Sequence, residues 1–127
     1  MAIPSGSGTE VLKRTTIHAL SDTETSFRWD GTMATTGTAT YTVTANHIIT
    51  VLNIVVAETA NTAGNFNIYM HDGTNPIHLL RNQSLSGKAT FVWNDRLVLT
   101  GGDKLIVYTE AAANMDAVCN YIDQDWS

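Results

Sequence analysis

Four histidines, one cysteine and a scatter of carboxylates are the first side chains to weigh for chemistry, and composition alone leaves a Ser-His-Asp or Cys-His arrangement open. His18, His47, His71 and His78 lack both the i, i+4 helical spacing and the paired cysteines of a strong zinc motif. His47, His71 and His78 could converge only as scattered ligands on facing strands, as in cupin-like sandwiches. They read better as strand-surface and turn residues, and His71-Asp72 reads as a strand end entering a turn. Cys119 lies in the alternation Ala117, Val118, Cys119, Asn120, Tyr121, Ile122, flanked by Asp116 and Asp123. A nucleophilic thiol wants a basic, partly exposed setting, so this one reads as a small buried hydrophobe. As the only cysteine it excludes an intrachain disulfide.

The carboxylates are no more promising. Asp103 follows Gly101-Gly102 between two apolar runs, which is the chemistry of a tight turn. Glu58 and Glu110 end apolar runs, and nothing in the sequence brings them to the spacing a glycosidase needs. Asp123 and Asp125 lack the glycine and loop ligands of an EF-hand and read as a solvated acidic tail. No nucleophile elbow is present. The expectation is a protein without catalytic residues, metal or cofactor.

The elements that would position any site are strands. Thr38, Thr40, Thr42 and Thr44 alternate with Ala39, Tyr41 and Val43, the period of two of a half-buried strand. After Asn46 the run His47–Ala57 is apolar on both faces, as in a central strand. Further strands are expected at Val11–Ala19, Asn65–His71, Ile77–Arg81, Lys88–Trp93, Leu97–Leu99, Leu105–Thr109 and Ala117–Ile122. Asp72-Gly73, Ser86-Gly87, Asn94-Asp95 and Gly101-Gly102-Asp103 separate them. Residues 21–37 read as loop plus one short strand anchored by Phe27 and Trp29, and Ala111–Asn114 as a brief helical turn or a loop. No stretch sustains a helical period over ten residues, and no internal repeat is evident. The fold class is all-β: a single antiparallel β-sandwich or jelly roll of about eight or nine short strands, residues 11–127, behind an extended arm, residues 1–10.

Composition narrows the partners. The 127 residues carry 7 basic and 12 acidic side chains, a net charge of −5, which argues against a nucleic-acid binder. Charged residues make up 15%, well below an average domain, and 19 threonines supply the missing polarity. That suits sheet surfaces, some of them covered by neighbours. No apolar run reaches the roughly 18 residues of a membrane span. MAIPSGSGTE lacks the basic start and apolar core of a secretion signal, so synthesis in a cytoplasm is expected.

The arm mixes Gly and Ser with Ile3, and it leads into Val11, Leu12 and the adjacent basic pair Lys13-Arg14. That mixture suits docking by strand addition to a partner's sheet edge, with the basic pair facing an acidic surface. Trp126, a large aromatic at the extreme end, either folds back on the sandwich or anchors to a partner.

Several segments together resemble the small virion structural proteins of tailed bacteriophages, in particular those of marine bacteria. They are the opening Ile3–Arg14, Tyr41-Thr42-Val43-Thr44-Ala45-Asn46-His47, Phe66-Asn67-Ile68-Tyr69-Met70, the hairpin Asp95–Leu105, and Asn120-Tyr121-Ile122-Asp123. The matches cover about residues 1–14 and 38–126. The sequence departs from that pattern at Thr44, where such proteins usually carry proline. The resemblance implies a virion component: a capsid decoration (cement) protein first, a neck, tail or fibre-associated protein second. It further implies major capsid protein or other virion proteins as partners and a place on the capsid surface. Lattice geometry suggests a homo-oligomer, a trimer at a local threefold.

Overall fold

The computed structural model describes residues 9–110 and 114–126. Nine strands follow in order: β1 (Thr9–Ile17), β2 (Thr25–Ser26), β3 (His47–Glu58), β4 (Gly64–His71), β5 (Pro76–Leu85), β6 (Thr90–Trp93), β7 (Leu97–Thr100), β8 (Lys104–Thr109) and β9 (Met115–Asp125). They form two antiparallel sheets. The first runs β1-β9-β3-β6, with β7 also pairing β3; the second runs β2-β8-β4-β5. These are the two interleaved orders of a jelly roll, in which one strand position is split into β6 and β7 by Asn94-Asp95-Arg96.

Burial alternates along each strand as the period of two requires. On β9, Met115, Ala117, Cys119, Tyr121 and Asp123 point inward, and the residues between them reach the outer surface. Apolar side chains of both sheets fill the space between, Phe27, Ile54, Phe66, Ile68, Leu99, Leu105 and Val107 among them. Tyr121 is fully buried, and its hydroxyl accepts the Gly31 N–H at 3.0 Å while its ring meets Trp29 edge-on at 4.9 Å. β3 keeps its apolar residues inward on both halves through a bulge between Val51 and Asn53, which shifts parity by one. A second irregular stretch lies between β4 and β5. There Asn82 takes φ 52° and donates its N–H to the buried Asn67 Oδ1 at 2.9 Å, while Asn67 Nδ2 donates to Glu110.

Several expected elements move. Thr38–Thr44 forms no ladder. Its inside and outside are as the alternation demands, with Val43 buried and Thr40, Thr42 and Thr44 exposed. It joins β2 of one sheet to β3 of the other, so it crosses the end of the sandwich and bonds only locally: Val43 donates to the Asp103 carbonyl and accepts the Gly102 N–H, both at 2.9 Å, and the Thr38 carbonyl accepts the Ser26 N–H at 2.9 Å. The acidic tail is likewise corrected: Asp123, Gln124 and Asp125 complete β9, paired on both sides with β1 and β3. β5 extends past Arg81 to Leu85. Thr9 and Glu10, expected in the arm, open β1 opposite Asp125 and Gln124. Residues 1–8 of that arm, Ile3 included, and Ala111–Ala113 lie outside the described residues.

Candidate interaction surface

The buried acids and the thiol have structural places in the fold. Asp103 is buried, and its Oδ2 accepts the Thr100 N–H at 2.8 Å, tightening the Gly101-Gly102 turn as expected. Glu58 caps its own strand end by accepting the Ala60 N–H, and Glu110 accepts from Asn67. Burial pushes the Cys119 thiol far above its ordinary range. Burial, with the Glu24 carboxylate that accepts its hydroxyl at 2.7 Å, does the same to Tyr69. Both are held in the protonated form and neither is an activated nucleophile.

The histidines go to separate partners. His18 Nδ1 meets Asp116 at 3.0 Å, and His71 Nδ1 accepts the Gly73 N–H inside the turn that follows β4. His78 packs its ring against Tyr69. His47 joins a network the sequence did not reveal. Asp123, 3% exposed, holds the Lys13 Nζ at 2.9 Å with one oxygen and the His47 Nδ1 at 2.7 Å with the other. His47 Nε2 lies 3.5 Å from Asp125. The cluster ties β1, β9 and β3 together at one end of the first sheet. Lys13, expected to face a partner, meets instead an acidic strand of its own chain. Only the β1–β9 register, residue 13 against residue 121, brings Asp123 within its reach.

What remains unexplained by folding is the outer face of the first sheet. The registers set Leu12, Ile122, Thr50 and Val98 side by side in one row across β1, β9, β3 and β7. A second row runs Thr16, Val118, Val55 and Val92 across β1, β9, β3 and β6. Between them Arg14, Asn120 and Asn53 form a polar row in which Asn120 Nδ2 donates to Asn53 Oδ1 at 2.7 Å. Leu12 is 71% exposed, Val98 55% and Val92 48%. A solvent-facing sheet ordinarily alternates to polar residues on its outer side. This one also carries valine, isoleucine and leucine there, apolar surface that folding of the single chain does not require.

Of the residues singled out for docking, Leu12 and Arg14 belong to this outer face. Val11 and Lys13 have the opposite parity, Val11 being half-exposed at the sandwich end. Trp126 is half-buried; its backbone N–H donates to the Asn46 carbonyl at 3.3 Å. Its indole Nε1 is buried with no partner among the described residues. A shallow cleft of about 330 Å³ lies between Arg28, Trp29, Asp30 and Tyr41. Arg28 there sits over the Tyr41 ring and is paired with Asp30 at 2.8 Å, so the cleft's charges are already matched.

No protein-family model matches the sequence, and no curated protein does. The solved structures that resemble it over nearly the whole of both chains include the following two. One is a chain of the disulfide-linked pili formed by Bacillus endospore appendages, with TM-score 0.54, 14% identity and coverage of 100% of this chain and 97% of that one. The other is a chain of the acid-stable capsid of Helicobacter pylori bacteriophage KHP30, with TM-score 0.51, 9% identity and coverage of 98% and 92%. At such identities the likeness is one of fold. This chain is a jelly roll of about the same length as those two chains.

Proposed function

We propose that this chain is a non-enzymatic structural protein of a phage virion, a capsid decoration protein that binds the assembled shell through the outer face of its first sheet. The apolar rows on that face carry the reading, because the isolated fold leaves Leu12, Val92 and Val98 exposed there. The likeness to a chain of a phage capsid supports it, as does the resemblance of the sequence to small virion proteins. A pilus subunit linked by disulfides fits less well, since the single cysteine is fully buried and has no route to a neighbour. Attachment works by mass action: a subunit that binds only the assembled lattice stabilises it by RT ln(1 + [L]/Kd) at every occupied site.

The test is a count of this protein against the major capsid protein in purified particles, followed by rebinding to stripped particles. Stoichiometry comparable with the capsid protein is expected, together with loss of rebinding for Val92→Lys and Val98→Lys. A small ring's worth of copies would move the protein to the neck or tail. Unimpaired rebinding by both variants would remove the sheet face from the interface.

A further inference from the structure

The outer strand β1 is a sheet edge whose exposed half is complementary to itself. On one side it pairs with β9 along its whole length. On the other, its C-terminal half is covered: the Thr16 carbonyl accepts the Ala34 N–H at 2.8 Å, and Thr15 Oγ1 donates to the Thr32 carbonyl at 3.0 Å. Since Thr16 directs its backbone groups away from β9, strand alternation directs those of Arg14, Leu12 and Glu10 the same way. Among the described residues nothing pairs with them. Native sheets seldom leave such an edge with a leucine 71% exposed on it.

We infer that two copies of this chain join β1 to β1 in antiparallel register about Leu12, forming a twofold dimer with one continuous sheet. Leu12 then faces Leu12 of the second copy, and Glu10 faces Arg14 in both directions. All three positions have their N–H and C=O groups turned toward the free edge, so each facing pair exchanges two backbone hydrogen bonds, six in all by strand geometry. Glu10, Leu12 and Arg14 share the outer face, so the charges lie directly opposite one another, where opposite-charge pairs stabilise a ladder. Neither Glu10 nor Arg14 has an ion-pair partner among the described residues.

Other registers fail on stated grounds. A shift toward Arg14 sets like charges opposite or requires Thr16, whose carbonyl Ala34 already occupies. A shift toward Glu10 sets that carboxylate against leucine or against itself. Charges on an edge ordinarily prevent pairing. Here their order, acid-leucine-base, is its own complement when reversed, and selects one register. The dimer also extends the apolar row through Leu12 into its counterpart, doubling the width of the face. The inference stands on the β1 edge and does not require the virion reading.

Charge swaps test it in the intact protein by sedimentation equilibrium, with circular dichroism as the check on folding. Wild type is expected to be dimeric. Glu10→Arg places like charges opposite each other twice, and so does Arg14→Glu; each is expected to weaken the dimer at least about tenfold. The double variant carrying both changes regenerates complementarity and is expected to restore wild-type association. Mixing the two single variants is expected to yield a heterodimer tighter than either homodimer. A monomeric wild type would overturn the inference. So would a double variant as weak as the singles, or a dimer insensitive to these charges and abolished by Val92→Lys, which would assign self-association to the sheet face.

Discussion

Asp123 shows how a residue's role depends on a register that no local pattern announces. In sequence it is one of several acids near the chain end; in the fold it is buried between Lys13 and His47. Replacing it with alanine leaves a largely buried ammonium without its counter-charge. The expected cost is about 3 kcal/mol, read as a lower urea midpoint at unchanged m-value. A loss below about 1 kcal/mol would mean that Lys13 escapes to solvent in the variant. Cys119 was legible from its neighbours because an apolar alternation is a local signal. Its raised pKa and full burial imply a thiol that an aromatic disulfide reagent reaches only after unfolding. Labelling of native protein as fast as of denatured protein would contradict that placement.

At the scale of elements, period two reported faces reliably and pairing poorly. Val43 is buried and Thr42 exposed although Thr38–Thr44 joins no ladder, because side-chain alternation needs only an extended backbone whereas a ladder needs a neighbour. Turn residues were more informative: Asp72-Gly73 and Gly101-Gly102 bound strands as read, with Gly73 and Gly102 both at φ 93°. The outer face was illegible for a different reason. Val92 and Val98 looked like ordinary strand residues, and only the cross-strand registers gather them with Ile122, Val118 and Leu12. β7 separates the two roles within neighbouring residues. Leu99→Ala, on the inner side and fully buried, is expected to cost about 2–5 kcal/mol of stability. Val98→Lys, one residue earlier and facing out, is expected to change stability by no more than about 0.5 kcal/mol. Equal losses in a denaturant titration would mean that the two sides of β7 are not distinct.

The sandwich is closed by the pairing of its first and last strands. β9 lies between β1 and β3, and its pairing with β1 joins Thr9 to Asp125, nearly the full length of the chain apart. The other sheet is no more local: β2 pairs only with β8, Thr25 opposite Val107. The β4–β5 hairpin is the chief local pairing, and its irregular register makes it a poor template by itself. Loop-closure entropy must therefore be overcome before most of the ladder and core exist. Refolding from urea is expected on a timescale of about milliseconds to seconds, as in other strand-dominated domains, and not in microseconds. Since β1, β3 and the Lys13–Asp123–His47 cluster all converge on β9, their formation belongs to one event. Tryptophan fluorescence, reporting the packing of Trp29, Trp93 and Trp126, and far-ultraviolet circular dichroism, reporting the sheets, should give coincident kinetics. A fast phase that restores the full sheet signal before the fluorescence changes would show that the sheets form without the strand joining the chain's two ends, and this account of closure would fail.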